Sequence, residues 1–446
     1  MKNIRVNSYR IASTIFPRIK KYDEIFWEEY DLIERARGWG KTELEEYQLE
    51  QLRHLVKYAY EKTPFYKRIF DEYGIVPKDI QSFDDYKKIP VIRKADVVEY
   101  LEEIRALPKR RCVSVTTGGS TGTITKIYIN PQVNRMKRQA YVWHSFHEGG
   151  YYFGDKIGIL RGKVLGDRNI QYDPGEKIMY FNSMKMTEKN IKLYLEEMQR
   201  AKIKHLRAYP SAAEMLAKYI EETGMHFNED GVLKTVFTSS ETLLPNTRRL
   251  IEKNMHVKVV DLYGNSEQIG FIAQCKSGHY HEYMTHSYLE YEPVNDKYHN
   301  IIGTGFINNA FPLLRYSTED LAVLSEQTGC CCGKKGKQIK RVAGRWAQKN
   351  LIIGREGNKM NLTAVNTHAD IFKNIYKIQF VQKEQGRMIL NVMPKKEYSD
   401  RDRQNVYKEF SARLGPTFEL EIRETNDFIY THRGKSKLLV QELDLD

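Results

Sequence analysis

The chain has 446 residues, 41% hydrophobic and 29% charged, with a formal net charge of +13. That length exceeds one core and predicts two or three domains, and the composition is that of a soluble globular protein. No apolar run approaches the ~20 residues of a membrane span, and the basic N-terminus lacks the apolar centre of a secretion signal. The positive balance suits an anionic ligand, but basic residues are scattered rather than gathered in a stripe, which argues against nucleic acid. Five unevenly placed cysteines do not form a disulfide framework, so a cytoplasmic setting is expected.

Residues 41–110 read as helical. Thr42-x-x-Glu45 has the form of a capping box, and Leu49, Leu52, Val56 and Ala59 recur at helical spacing until Pro64.

Thr116–Lys126 then brings three glycines, one serine and five threonines together between the β-prone segments Cys112–Val115 and Ile127–Ile129. A segment so poor in apolar side chains cannot build a core. It can wrap an anion, through inward backbone N–H groups, hydroxyls and the Lys126 ammonium. It lacks the G-x-x-x-x-G-K-[ST] pattern of a Walker loop, and a flexible hairpin turn is the plainer reading.

Residues 155–330 alternate strands and helices. Strands are expected at Lys156–Leu160, His205–Ala208, Thr235–Thr238 and Val257–Leu262, and helices at Lys189–Met198, from a Ser211-x-x-Glu214 box to Ile220, and at Pro245–Lys253. The alternation predicts an α/β core with much parallel sheet. Beyond about residue 345, a hairpin (Tyr376–Gln382 and Met388–Met393), a helix (Asp400–Ala412) and a strand (Phe418–Arg423) predict a small α+β unit.

Three constellations carry chemistry. Asp261-Leu262-Tyr263-Gly264-Asn265-Ser266-Glu267 ends a strand with an aromatic, a hydroxyl and a carboxylate, where α/β sheets bind ligands. Alone, it also reads as a strand-to-helix turn with Ser266 as N-cap. Arg315-Tyr316-Ser317-Thr318-Glu319-Asp320 ends another apolar run in hydroxyls and acids. His432-Arg433-Gly434-Lys435-Ser436-Lys437 sets cations after a glycine near the C-terminus, where a basic tail also reads as plainly solvated.

In their order these motifs resemble the adenylate-forming (acyl-CoA synthetase) superfamily. The nearest likeness is to its phenylacetate–CoA ligase branch and to the CapK-like proteins encoded with polysaccharide genes. The resemblance runs from Leu55–Tyr66 and Ile89–Lys94 through Gly119-Ser120-Thr121-Gly122. It continues with Ala208-Tyr209-Pro210-Ser211, Ser239-Ser240-Glu241, Tyr263–Glu267, Arg315–Asp320, Gly344-Arg345 and Gly434-Lys435. It implies a large multi-sheet α/β N-terminal adenylation domain (1–345, with a helical lead-in to about 110) and a small mobile α+β C-terminal lid (346–446).

The resemblance also implies roles. Thr117, Gly118, Gly119, Ser120, Thr121, Gly122 and Lys126 would hold the leaving phosphates of ATP. Ser266 would bond the α-phosphate and Glu267 would hold Mg²⁺. Tyr263, beside Gly264, would stack on adenine, with Ser240 and Glu241 lining the base pocket. Asp320 would accept from the ribose hydroxyls, Arg345 would touch the ribose at the hinge, and Lys435 would bridge carboxylate and phosphate. Cys275, His281, Cys330 and Cys332 resemble the branch's C…H and C-x-C-G elements and would bind a structural zinc. Cys331 or His279 could replace a named ligand.

The implied reaction converts a small-molecule carboxylic acid and ATP to acyl-AMP and pyrophosphate, then passes the acyl group to an acceptor, with CoA foremost. Two alternatives stay open: acyl or AMP transfer to an amine or hydroxyl, as on a glycan, and a non-catalytic zinc-braced nucleotide-binding protein. If a phosphopantetheine arm were the acceptor, a stand-alone carrier partner is expected, and a dimer is one option for the assembly. The pattern departs from the family at Thr123-Ile124, where a proline is common, at Glu319, where a glycine is usual, and at Trp346–Lys349, where the hinge aspartate is missing. Acid-pocket residues in the family come from around Tyr209 and from Tyr141–Phe146, whose aromatic character also suits plain helix packing.

Overall fold

The computed structural model describes residues 22–116, 126–163, 165–326, 329–344, 351–357, 359–361, 374–430 and 437–443. In chain order these form α1 (Glu24–Ala36), α2 (Lys41–Lys62), α3 (Pro64–Glu72), β1 (Val113–Thr116), β2 (Lys126–Ile129), α4 (Pro131–Glu148), β3 (Ile157–Leu160), β4 (Ile170–Asp173) and β5 (Ile178–Phe181). Then come α5 (Glu188–Arg200), β6 (His205–Ala208), α6 (Pro210–Thr223), β7 (Thr235–Ser239), α7 (Pro245–Met255), β8 (Lys258–Gly264), β9 (Phe271–Gln274), β10 (Tyr280–Glu282) and β11 (Ser287–Pro293). The remainder is β12 (His299–Gly305), β13 (Tyr316–Leu324), β14 (Gln338–Gly344), β15 (Leu351–Ile353), β16 (Lys359–Asn361), β17 (Ile375–Glu384), β18 (Arg387–Pro394), α8 (Asp400–Leu414), β19 (Glu419–Glu424) and β20 (Leu439–Gln441).

Local chemistry sets these boundaries. Asp23 accepts from the Phe26 N–H to open α1, and Asn130 accepts from Gln132 N ahead of Pro131 to open α4. Pro64 begins α3, with Thr63 as its cap, directly after α2 ends. Ser399 and Asp402 form a reciprocal box at the start of α8. Two expected boxes give way. Helix α2 starts two residues earlier than Thr42 implies, with Gly40 N donating to Glu43. Helix α6 starts at Pro210 behind Tyr209, so Ser211 lies inside it. In both, a residue already able to begin the helix stands ahead of the hydroxyl.

Two compact units result. The first comprises Met1–Asp155, Thr235–Thr242 and Lys258–Gly344. Its sheet runs β11-β12-β13-β14-β10-β9-β8-β7. Only β7 and β8 are parallel; every other neighbour is antiparallel. The expected strand–helix alternation therefore stops at β8. Among the described residues no helix follows until α8, because Gly264–Gly270 turns back into the antiparallel β9. Ser266 accordingly caps no helix. An apolar core joins α2 and α3 to Ile127, Ile269 and Phe311–Tyr316.

The second unit comprises Lys156–Lys234, Leu243–Val257 and Arg345–Asp446. Strands β6, β3 and β5 are parallel, and β4 pairs antiparallel at the edge. The C-terminal sheet is ordered β19-β18-β17-β20, with α8 packed by Val406, Phe410 and Leu414 into its core. Within this unit Lys218 of α6 donates to Tyr376 O at 3.1 Å, and Lys395 lies 3.7 Å from Glu222. The mixed α/β architecture with a small C-terminal α+β sheet agrees with the expected fold class. Among the described residues, no helix is long and apolar enough to cross a membrane.

Candidate functional site

Strand register brings several of the expected nucleotide residues side by side. Thr238 pairs with Asp261 and Ser239 with Leu262 across β7 and β8, so Ser240-Glu241 leaves the sheet beside Tyr263-Gly264. The buried Asp261 carboxylate fixes this register, accepting from Thr238 Oγ1 at 2.5 Å and Tyr280 Oη at 2.7 Å. Ser240 has φ +72, a left-handed conformation that costs a non-glycine residue of order 1 kcal/mol or more.

Tyr263 and Asp320 meet directly. Tyr263 Oη donates to Asp320 Oδ2 at 2.8 Å, and burial followed by the Asp320 charge holds the phenol well above its usual range. Asp320 lies in β13 where the pairing with β12 shifts between Asn300 and Ile302. Inside this bulge Glu319 has φ +60, so the position where the family usually has glycine keeps a glycine-like conformation. Asp320 N donates to Thr318 Oγ1, and Thr318 donates to Ile301 O.

The Asn265–Gln268 turn carries Ser266 and Glu267. Glu267 is buried, Asn265 Oδ1 accepts from Ile269 N at 3.0 Å, and Gln268 has φ +60. The turn is pressed onto β12. A Cβ at Gly305 would lie 2.0 Å from Gln268 O, and one at Gly303 would lie 2.5 Å from Ile269 O. Asn134, Gln268 and this glycine pair were not expected from the sequence, although Gly303-x-Gly305 inside an apolar strand is the signal of a close backbone approach.

Lys126 is the exposed first residue of β2, paired with Thr116. Thr117, Gly118, Gly119, Ser120, Thr121 and Gly122 lie outside the described residues, as do Arg345 and Lys435. The segment carrying Lys435 is bracketed by one buried side chain. Gln379 Nε2 donates to Ile429 O and to Lys437 O, at 2.8 and 3.0 Å.

A second cluster lies between β9, β10 and the loop ahead of β14. The donor atoms of Cys275, His281, Cys330 and Cys332 all lie within 4.8 Å of one another. Cys275 Sγ is 3.8 Å from Cys330 Sγ, and Cys332 Sγ is 3.4 Å from His281 Nε2. Two turns shape it: Gly278, at φ +83, donates to Cys275 O, and Gly333, at φ +78, donates to Cys330 O. Burial pushes the Cys275 thiol up, but the N–H groups of Ser277 and His279 and the thiols of Cys330 and Cys332 bring it net below its ordinary range. Burial and the neighbouring sulfurs push Cys330 up to about 12. Burial, then Lys334 and His279, lower His281 to about 4, leaving a neutral imidazole at neutral pH.

A soft tetrahedral cation is what three thiolates and one imidazole fit. Of the possible substitutes, exposed Cys331 faces Ser277 at 2.9 Å, and His279 Nδ1 approaches Cys330 Sγ at 3.2 Å from an exposed position. Lys334 sets its buried ammonium 4.7 Å over the Tyr283 ring, near Glu148 and the cluster residues Cys332 and Cys275.

Tyr141–Phe146, weighed as an acid-pocket wall, is buried along α4. Tyr141 donates to Glu29, His144 lies 3.0 Å from Glu34, and the next turn adds His147 bonded to Tyr30 and Glu148 to Arg37. That is a helix-packing face against α1.

Comparison with known proteins gives one family and several relatives. Residues 352–442 match the CapK C-terminal domain family. Protein CapK of Staphylococcus aureus is 23% identical over 448 residues, covering 97% of this chain and 96% of its own. Phenylacetate-coenzyme A ligase of Thermus thermophilus is 25% identical, over 70% of this chain and 73% of its own. Among solved structures, 2-hydroxyisobutyryl-CoA ligase in the postadenylation state with 2-HIB-AMP aligns with a TM-score of 0.68 at 17% identity, covering 91% of each chain. The fold is that of the adenylate-forming ligases, and the resemblance to the CapK and phenylacetate–CoA ligase branch is borne out.

Proposed function

We propose that this chain, a relative of CapK and of the phenylacetate–CoA ligases, activates a carboxylic acid with ATP to form acyl-AMP and pyrophosphate. The observation that carries the reading is the Tyr263–Asp320 hydrogen bond of 2.8 Å beside Ser240-Glu241. It joins an aromatic face suited to adenine to a carboxylate suited to two ribose hydroxyls, each on a different strand.

In the reaction a substrate carboxylate oxygen attacks the α-phosphorus, the bond to the bridging oxygen breaks, and pyrophosphate leaves with that electron pair. The protein's work is positioning and charge neutralisation. Tyr263 and Asp320 orient the nucleoside, Ser266 bonds the α-phosphate, and the Thr117–Gly122 segment with Lys126 takes the leaving phosphates. Glu267 is the residue that would hold Mg²⁺, whose charge offsets that of the phosphates when bound. Lys435, carried by the C-terminal residues 346–446, meets the charge that builds between carboxylate and phosphate. The Cys275, His281, Cys330 and Cys332 cluster is read as a structural zinc site that ties β9 and β10 to the loop ahead of β14.

CoA is the first acceptor of the acyl group: its thiolate attacks the acyl carbon and AMP leaves. A second reading, transfer to a hydroxyl or amine, is favoured by the CapK likeness, which spans 97% of the chain against about 70% for the ligase likeness. The test is acid-dependent ATP consumption across aryl, fatty, amino and sugar acids, with and without CoA. Acid-dependent turnover that requires CoA supports the first acceptor. Acyl-AMP formation indifferent to CoA selects the second. No acid-dependent formation of AMP and pyrophosphate contradicts the adenylation reading.

A further inference from the structure

The turn that carries Glu267 is held in a conformation it would not adopt alone. Gln268, next to Glu267, is buried and has φ +60, a region a long side chain rarely enters without outside support. Part of that support comes from β12, where Gly303 and Gly305 let the carbonyls of Ile269 and Gln268 approach. Part comes from Asn265, which accepts from Ile269 N.

The rest comes from far away in the chain. Asn134, on the first turn of α4, is 1% exposed. Its Nδ2 donates to Gln268 Oε1 at 3.0 Å and to Ile307 O at 2.7 Å, while its Oδ1 accepts from Asn130 N at 2.8 Å. One small amide therefore uses both donors and its acceptor inside the protein, as a buried amide must. The next residue after Ile307, Asn308, donates to Tyr128 O in β2 at 3.0 Å. The stretch Gly303–Asn308 thus serves as a common support, cradling the Glu267 turn and anchoring both β2 and the start of α4.

We propose that Asn134 is a positioning residue for Glu267. By holding the Gln268 side chain it fixes the left-handed residue after the carboxylate, and so the direction in which Glu267 meets Mg²⁺ and the phosphates. Its second bond, to Ile307 O, ties the start of α4 to the stretch that cradles the Glu267 turn, and the neighbouring Asn308–Tyr128 bond ties β2 to the same stretch. The inference rests on the proposed role of Glu267.

The experiment compares wild type, Asn134→Leu, Asn134→Asp, Glu267→Gln and the Asn134→Leu/Glu267→Gln double variant in acid-dependent ATP–pyrophosphate exchange, with Mg²⁺ titrated. Asn134→Leu is expected to lower the exchange rate by about 10-fold or more and to raise the half-saturating Mg²⁺, with the KM for the acid unchanged. Asn134→Asp keeps the acceptor for Asn130 N but sets a carboxylate oxygen against Ile307 O in place of the donor, so a loss at least as large as that of the leucine variant is expected, with circular dichroism showing which of the two is folded. In the Glu267→Gln background, Asn134→Leu should cost no more than about twofold, because the residue it positions is already disabled. Normal exchange in Glu267→Gln would remove the reading of Glu267. Defective Glu267→Gln beside folded Asn134 variants with unchanged rate and Mg²⁺ dependence, or fully multiplicative losses in the double variant, would overturn the inference about Asn134.

Discussion

Tyr263 donates its phenolic proton to Asp320 across 2.8 Å, although the two stand on strands separated by three others in the sheet order β13-β14-β10-β9-β8. The bond holds the aromatic ring and the carboxylate in one geometry, as the proposed nucleotide site requires. Such preorganisation lowers the ordering cost of binding. Tyr263→Phe should keep the ring and lose the bond, raising the KM for ATP about 3- to 10-fold, the equivalent of roughly 0.7–1.4 kcal/mol and the usual net worth of one hydrogen bond. Tyr263→Ala should weaken ATP binding further. Calorimetric titration of both variants with a non-hydrolysable ATP analogue checks the order.

Gly305 sits where a Cβ would lie 2.0 Å from Gln268 O, a backbone atom that cannot swing aside. Gly305→Ala should destabilise the protein by about 2 kcal/mol or more and abolish exchange, since the Glu267 turn must move. Gly74→Ala is the matched control. Gly74 has φ +63 and nothing within 4 Å of its added Cβ, so a loss of about 1 kcal/mol with normal exchange is expected. Urea melts and exchange rates of the two variants decide it.

Purified protein is expected to carry one zinc per chain. Cys332→Ser should lose it and melt at lower temperature. Cys331→Ser should retain it, because Cys331 faces Ser277 outside the cluster. Metal analysis beside thermal melts tests both, and a full zinc complement in Cys332→Ser would rule out the assigned ligand set.

The parts of this architecture legible in the sequence are those written in local patterns. Apolar runs with strand or helix period marked β3, β6 to β8 and the C-terminal hairpin, and the ordered motifs pointed to the fold. The Cys275…His281 and Cys330-x-Cys332-Gly333 elements named four donors that the structure draws within 4.8 Å. Long-range contacts were hidden. Nothing local in Asn134 says that it bonds Gln268, and nothing in Ser266 says that the chain turns back into β9 rather than into a helix. The boxes at Thr42 and Ser211 misled because Gly40 and Pro210 begin their helices first. Glu319 shows the opposite case: the residue type departs from glycine while its φ of +60 keeps the glycine-like backbone.

Buried His286 gives a pH dependence with a definite sign. Burial, then Arg138 and Lys137, lower it to about 3, so it stays neutral in the folded protein while an unfolded histidine titrates near 6.5. Between those values the unfolded state binds the extra proton. The stability is therefore present at neutral pH and lost as pH falls from about 6.5 toward 3, at about 1.4 kcal/mol per pH unit for this group. Replacing it with phenylalanine should flatten the acid limb of stability against pH by about one proton's slope. Equal slopes for His286→Phe and wild type between pH 6.5 and 4.5 would count against this assignment.

The central claim is adenylation of a carboxylic acid, and carboxylate-dependent ATP–pyrophosphate exchange measures it most directly. The wild-type protein should exchange label with at least one acid of the panel, and folded Lys435→Ala should fall by about 100-fold or more. Exchange with no acid, or normal exchange in Lys435→Ala, would contradict it.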